Sequence, residues 1–141
     1  MSYEFLEHTA DVYIEVRGIS LEEAFQYAAI GIMDVITDID DVDPEMSVDV
    51  SLEAGDIEHL LYLWLEEIIF RIDAEGVLFS GFKVKEITNS GDMLELTGEL
   101  RGEEFDPNKH EQRQAVKAIT YHMMEIIREE DEYVLRFVLD V

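Results

Sequence analysis

IEHLLYLWLEEIIFRID, residues 57–73, predicts a helix with apolar side chains on nearly every face. A helix of that kind is typical of the buried centre of a domain. Asp56 precedes it as an N-cap residue, and Glu58 lies in the first turn, where a carboxylate interacts favourably with the helix dipole. Beyond Gly76 the sequence changes to strand-like segments. We therefore expect a buried central helix followed by strands.

A second helix is predicted upstream of the first. Ser20 and Glu23 form a capping box, and apolar residues then recur at helical spacing, so this helix is expected from about residue 21 to residue 37. Residues 38–44 follow it as an acidic loop. Alternating or β-branched apolar segments predict strands at residues 11–17, 47–52, 77–88, 93–102, 115–127 and 133–141.

The segment 115–127 is ambiguous, because Val116, Ile119 and Met123 also fit helical spacing. Its β-branched residues favour a strand. The steps between the later strands are too short for parallel crossovers, which need a dozen or more residues. These features predict an α+β fold in a single domain, residues 1–141, with two helices on a mainly antiparallel sheet and a strand-rich C-terminal half.

The composition narrows the classes of function. The chain has 141 residues with 34 acidic and 10 basic side chains, a net charge of −24, and 48% hydrophobic residues. The apolar content supports a packed core, so the charge does not indicate disorder. Direct binding to a nucleic-acid backbone is disfavoured, because it depends on clustered Lys and Arg. The acidity fits either solubility in a salty cytosol or attraction to a basic partner.

Localisation is predicted from what the sequence lacks. There is no cysteine, which excludes disulfides, thiol nucleophiles and cysteine-based zinc sites. The N-terminal residues lack the basic and apolar regions of a signal peptide, and the longest uncharged run, residues 24–33, is too short for a membrane span. Phosphate-binding glycine loops, nucleophile elbows and zinc-protease motifs are absent from the sequence. We expect a cytoplasmic protein with no membrane contact.

The first candidate site is EHTAD, residues 7–11, just before a predicted strand. Asp11 could cap a turn with its own backbone. Alternatively, Asp11 is a carboxylate ligand for a hard metal ion, and His8 orients it or contacts a partner group.

The second candidate site is the C-terminus, where the chain stops after an apolar strand. The side chain of Asp140 adjoins the terminal carboxylate of Val141, and two adjacent anions repel each other unless a cation joins them. Oxygen ligands suit Ca²⁺, Mg²⁺ or Mn²⁺. A solvated chain end is the alternative.

The third candidate site is a group of cationic residues in a chain otherwise poor in them. It comprises Lys109, His110, Arg113, Lys117 and His122. The group could bind a phosphate or a carboxylate, or it could be an exposed strand with balancing charges. The acidic loop 38–44 lacks the glycine and the distal glutamate of an EF-hand, so a solvated loop is favoured there.

Together these segments resemble the archease family. The matching segments are EHTADV (7–12), SLEEAF (20–25), residues 33–38, GEEF (102–105), KH (109–110), VKAITYH (116–122) and LDV (139–141). They occur in order over essentially the whole chain. HTAD near the start, VKAITYH in the last third and a terminal LDV form a specific combination.

The resemblance implies a function. Archeases are protein cofactors of the RtcB-type RNA ligase, which joins tRNA exon halves through a covalent guanylate formed from GTP with a divalent metal. The cofactor accelerates that guanylylation and permits multiple turnover without catalytic chemistry of its own, and GTP is expected to bind only the ligase.

The resemblance also implies a set of site residues. The family's metal site, carried over, consists of Asp11, Asp140 and Val141, with Ca²⁺ expected in a structure and Mg²⁺ or Mn²⁺ in function. His8, His110 and Lys117 are expected to contact the partner or its phosphates. Two alternatives are a general chaperone or modulator of RNA-processing proteins, and a metal-dependent phosphohydrolase; no nucleophile-and-base pair in the sequence supports the latter.

Overall fold

The computed structural model describes residues 11–141, which form two α-helices and six β-strands. In chain order the elements are β1 (Val12–Gly18), α1 (Leu21–Ile36), a 3₁₀ helix (Ile39–Asp41), β2 (Met46–Ala54), α2 (Ile57–Glu75), β3 (Val77–Ser90), β4 (Met93–Glu104), β5 (Ala118–Glu129) and β6 (Glu132–Asp140). The α+β class is confirmed, and the strand-rich C-terminal half is observed as predicted.

The strands form two three-stranded antiparallel sheets, where the sequence had suggested one. The strand order is β1-β6-β5 in one sheet and β2-β4-β3 in the other. Tight turns join β3 to β4 and β5 to β6, with Gly91 and Glu130 in the left-handed region at φ 68° and 53°. Residues 105–117 then carry the chain from the second sheet to the first, which local patterning does not reveal.

Helix α1 begins at the predicted capping box. The backbone N–H of Glu23 donates to Ser20 Oγ at 3.1 Å. The helix ends at Ile36, and Thr37 is its C-cap. Thr37 is fully buried, and its hydroxyl donates to the carbonyl of Glu111 at 2.7 Å. The connection 105–117 is therefore attached directly to the end of α1.

Helix α2 begins with Asp56 Oδ1 accepting the N–H of His59 at 2.8 Å, and ends at Gly76, whose φ of 65° suits a glycine. Trp64 is fully buried, and its Nε1–H donates to the carbonyl of Phe25 at 2.9 Å, which joins the two helices. The expectation of burial on nearly every face was wrong, because Phe70 is 59% exposed. The core covers only one face of α2.

Strand β5 confirms the strand interpretation of the ambiguous segment, but it starts at Ala118 instead of residue 115. The N–H groups of Arg113 and Gln114 donate to the carbonyls of Ile36 and Val35, so the residues before Ala118 cap α1 and do not join the sheet. Neither described helix is long and apolar enough to cross a membrane.

Candidate metal centre

Asp11 and Asp140 lie at the same end of the β1–β6 pair. The two strands are antiparallel, and their ladder ends with Val12 opposite Leu139. Continued by one residue, this register brings Asp11 to the level of Asp140. Directly opposed residues of an antiparallel pair have Cβ atoms about 5 Å apart and side chains on the same face. The register thus relates two carboxylates that are 129 residues apart in the chain.

The backbone of Asp140 is held from two sides. It is the last residue of β6, pairs with Ala118 of β5, and accepts the N–H of Lys117 at its carbonyl at 2.8 Å. Its side-chain oxygen Oδ1 is buried and has no hydrogen-bond partner among residues 11–141. An unsatisfied buried acceptor costs about 1–3 kcal/mol, and more when it is charged. The described part of the chain thus supplies no donor to this carboxylate oxygen.

Val141 and Lys117 flank this carboxylate. The side chain of Val141 is partly buried and packs against the core, which anchors the residue after Asp140. Lys117 is exposed, and its ammonium group forms no salt bridge with any residue from 11 to 141. Lys117 is therefore joined to Asp140 through the backbone, and Val141 follows Asp140 in the chain. Asp11 would join them if the β1–β6 register is extended by one residue beyond Val12 and Leu139.

His110 belongs to a different cluster. Its ring is buried, Nδ1 accepts the N–H of Asp106 at 2.9 Å, and Nε2 lies 2.8 Å from Glu103 Oε2. An acceptor at Nδ1 assigns the proton to Nε2, which donates to the carboxylate. Both ring nitrogens are thus used within the protein. The expected contact of His110 with a partner or phosphate is not supported, because the ring is buried among its own loop.

A second acidic cluster already contains a cation. Asp43, Glu45 and Glu103 place carboxylate oxygens within 4.8 Å of one another. The ammonium group of Lys109 lies 2.7 Å from Asp43 and 2.8 Å from Glu103. Lys109 therefore supplies the positive charge that a metal ion would bring. Asp43 lies in the acidic loop predicted to be solvated, so that prediction missed one partner.

Glu103 was not assigned a role from the sequence, although GEEF is one of the matching segments. Hydrogen bonds from Lys109, the N–H of Asp43 and His110 hold the pKa of Glu103 at about 2, below its usual 4.5. The same carboxylates raise the pKa of Lys109 above its usual range. The sequence does not indicate that these side chains are paired, because Asp43 and Lys109 are 66 residues apart in the chain.

Comparison with known proteins agrees with the order of these elements and motifs. The model of the Archease protein family matches residues 3–141. The chain belongs to the archease family. A protein archease of Sulfurisphaera tokodaii is 44% identical over 99% of this chain and 98% of its own length, and one of Methanopyrus kandleri is 42% identical over the whole of both chains.

Two solved structures share the archease fold. The solution structure of protein 1598 from Methanobacterium thermoautotrophicum is 42% identical, covers 94% of this chain and 93% of its own, and has a TM-score of 0.83. An archease from Thermotoga maritima, described as a possible chaperone, is 22% identical over 100% of this chain and 98% of its own, with a TM-score of 0.67. At that identity the second likeness supports the fold alone.

In the HTAD motif, residues 8–11, the structure describes Asp11, whose side chain is exposed. His8 lies outside the described residues. VKAITYH begins with Val116, which is buried, and continues through Lys117 into β5. The motif therefore connects the core to the end of β6, where Asp140 is located.

Proposed function

We propose that this protein is a non-catalytic activator of the RtcB-type RNA ligase and binds a divalent cation through Asp11, Asp140 and Val141. The activator would accelerate guanylylation of the ligase and support its multiple turnover in the cytoplasm. GTP would bind to the ligase, and the strongly acidic surface of this chain argues against direct RNA binding.

One observation supports the proposed metal site: Oδ1 of Asp140 is buried and has no hydrogen-bond partner within the described residues 11–141. A buried carboxylate oxygen needs a donor or a cation. The β1–β6 ladder ends at Val12 and Leu139, and one residue further it would place a second carboxylate, that of Asp11, opposite Asp140. The carboxylates of Asp11 and Asp140 and a main-chain oxygen of Val141 are hard oxygen donors, which suit Ca²⁺, Mg²⁺ or Mn²⁺. The donor set therefore fits the proposed cation.

The chain's own residues would hold this site rigidly. The bond from Lys117 N–H to the Asp140 carbonyl and the packing of Val141 against the core keep the backbone in place. When bound, the cation would supply positive charge beside a phosphoryl group being transferred on the ligase. The exposed ammonium group of Lys117 would contact the partner or its phosphates from the same end of the sheet. His8 remains a candidate contact, and His110 is left out because it is buried.

The test is self-guanylylation of the cognate ligase with GTP and Mn²⁺ or Mg²⁺, with and without catalytic amounts of this protein. Wild type is expected to accelerate the reaction, whereas Asp11→Ala and Asp140→Ala are expected to be inactive while folding normally. Asp92→Ala, in the exposed β3–β4 turn, removes the same charge elsewhere and should activate as wild type does. Normal activation by Asp140→Ala would refute the metal site.

The alternative function is that of a general chaperone, which is described as possible for the Thermotoga maritima archease. It predicts that the protein suppresses aggregation of unrelated clients and that Asp140→Ala does so equally well. No acceleration of the cognate ligase by wild type, together with such suppression, would favour the chaperone over the ligase activator.

A further inference from the structure

The exposed face of α2 carries aromatic and acidic side chains in one row. His59, Tyr62, Glu66 and Phe70 recur every three or four residues, so they lie on the same side of the helix. The core residues of α2, such as Trp64, occupy other faces. From His59 to Phe70 the row is about 16 Å long at 1.5 Å per residue. Phe70 is 59% exposed, so packing within the described residues does not account for it.

Strand β5 adds a further ring to this row. The Tyr121 ring stacks on that of Tyr62, with centroids 4.2 Å apart and planes within 6°, and meets His59 edge-on at 6.3 Å. Tyr121 is still 52% exposed. We call Tyr62, Tyr121, His59, Glu66 and Phe70 the aromatic ridge.

A bulge brings Tyr121 to α2. The β5–β6 register is interrupted between Thr120 and Glu125, and Met123 in this interval has a φ of 58°, which is rare for a residue other than glycine. Bulges of this kind redirect side chains away from the regular ladder. Here the bulge lies where Tyr121 meets Tyr62, so an exposed tyrosine stacks on a partly buried one.

The aromatic ridge also includes a carboxylate, that of Glu66, which forms no salt bridge with a described residue. Burial and the nearby Glu66 carboxylate raise the pKa of Tyr62, and burial, Tyr62, Asp56 and Glu66 raise that of Tyr121. Within residues 11–141, Glu66 forms no salt bridge, whereas its neighbour Glu67 binds Arg71 at 2.8 Å. Glu66 is also within hydrogen-bond reach of the Tyr62 hydroxyl. The exposed Tyr121 ring beside a carboxylate that has no cationic partner among these residues is complementary to a planar cation.

We propose that the aromatic ridge is a docking surface for an arginine-bearing segment of a protein partner. A guanidinium group can stack on the exposed face of Tyr121 and donate to Glu66 at the same time, which the ammonium group of lysine does less well. Tyrosine and arginine are also the residues that most often dominate protein interfaces. RNA, an anionic membrane and a second copy of this acidic chain would all meet the carboxylates with like charge.

In the first test, the full-length protein is titrated with the peptide acetyl-Gly-Arg-Gly-Arg-Gly-amide or with its lysine counterpart. Binding is monitored through the NMR signals of the protein. The ring signals of Tyr62, Tyr121 and Phe70 are expected to shift with the arginine peptide. Tyr121→Ala and Glu66→Gln should each weaken its binding by about fivefold. Tyr27→Ala, which removes a 43% exposed tyrosine from α1, is the matched control and should bind as wild type does.

Several results would overturn the proposal. Equal changes of the ring signals with the arginine and the lysine peptide would mean that the surface attracts any positive charge and does not recognise arginine. Shifts with an oligouridine RNA but not with the arginine peptide would make the occupant a nucleic acid. Self-association in sedimentation that Tyr121→Ala abolishes would make the occupant a second copy.

A second test uses the cognate ligase and rests on the proposed function for that choice of partner. Tyr121→Ala is expected to weaken ligase binding by about fivefold, whereas Asp140→Ala should still bind and lose activation. Ligase binding that Tyr121→Ala leaves unchanged would overturn the ridge as the docking surface. Absence of ligase binding by wild type would instead refute the proposed function, and the peptide result would then decide the ridge.

Discussion

The buried ring of His110 donates from Nε2 to the carboxylate of Glu103 at 2.8 Å, and the same carboxylate lies 2.8 Å from the ammonium group of Lys109. Glu103 is only 8% exposed. The negative charge of Glu103 is therefore stabilised by the hydrogen bond from His110 and by the ammonium group of Lys109. This cluster fastens residues 103–110, near the start of the connection between the sheets, to the acidic loop through Asp43.

Acid is expected to release this cluster. The folded-state pKa of Glu103 is about 2, below the usual 4.5. A lowered pKa stabilises the folded state fully above about pH 4.5, and this contribution is lost as the pH falls through about 4.5 towards about 2. Glu103→Gln should therefore unfold at a lower temperature than wild type at neutral pH, and the difference in Tm should shrink over that interval.

The measurement is thermal unfolding by circular dichroism across this pH range. Protonation of the other carboxylates relieves repulsion in both proteins, so the difference between the two curves is the quantity to compare. Glu104→Gln, at the exposed neighbouring position, should follow wild type. A difference in Tm that stays constant down to about pH 2.5 would contradict the assignment.

Divalent cations are expected to stabilise the wild-type protein through Asp140. At a free cation concentration about 100-fold above Kd, binding adds about 2.7 kcal/mol to the free energy of unfolding. Asp140→Asn should lose this gain, because its buried oxygen no longer carries charge. Thermal unfolding with added Ca²⁺ or Mn²⁺ measures the effect, with Asp92→Asn as the control of equal charge. The same stabilisation in Asp140→Asn would exclude this residue as a ligand.

Trp64→Phe should destabilise the protein by about 2–3 kcal/mol, because it removes the bond to the Phe25 carbonyl and leaves space in the core. Urea unfolding measures the change. Phe70→Leu, an aromatic substitution on the exposed face of the same helix, should stay within about 0.5 kcal/mol of wild type. Equal effects of the two substitutions would mean that burial of Trp64 contributes little.

Gly102→Ala should prevent folding or destabilise the protein by more than about 3 kcal/mol. A Cβ at this position would fall on the Leu78 carbonyl oxygen and lie 2.8 Å from Phe79 Cα, both in the paired strand. Gly55→Ala has no atom within 4 Å of the added Cβ and should stay within about 0.5 kcal/mol of wild type. Soluble yield and urea unfolding compare the two, and a stable Gly102→Ala would show that β3 can shift.

Association with the ligase should depend on salt. A net charge of −24 attracts a basic partner over a distance that ions screen, so the association rate is expected to fall about tenfold between roughly 0.05 M and 0.5 M salt. Stopped-flow or surface-based kinetics separate the association and dissociation rates. An association rate that is independent of salt would argue against electrostatic steering.

Local signals in the sequence were sufficient for most elements. The capping residues Ser20 and Asp56 start α1 and α2 where predicted, because N-caps act on backbone groups within the next turn. Period-two alternation predicted β1 and β2 to within two residues at either end. The observed β3–β4 and β5–β6 turns lie in the intervals 89–92 and 128–132 that separate the predicted strands.

The bulge in β5 and the exposure of Phe70 were not predictable in this way. Tyr121 leaves the ladder to stack on Tyr62, which lies 59 residues earlier. Phe70 continues the apolar pattern of α2, but its side chain is 59% exposed. The hydrophobic periodicity of a segment indicates which of its faces could be buried. The arrangement of the two sheets in space decides which face is covered.

The sequence by itself determined the element types, the antiparallel class and the archease motifs, because each depends on neighbouring residues or on order along the chain. Only the tertiary structure decided which carboxylates have partners. Glu103 is bound by Lys109 and His110, while Asp140 has a buried oxygen to which no residue from 11 to 141 donates. Pairing between charges requires contact in space, and the contacts here join residues that are far apart in the chain.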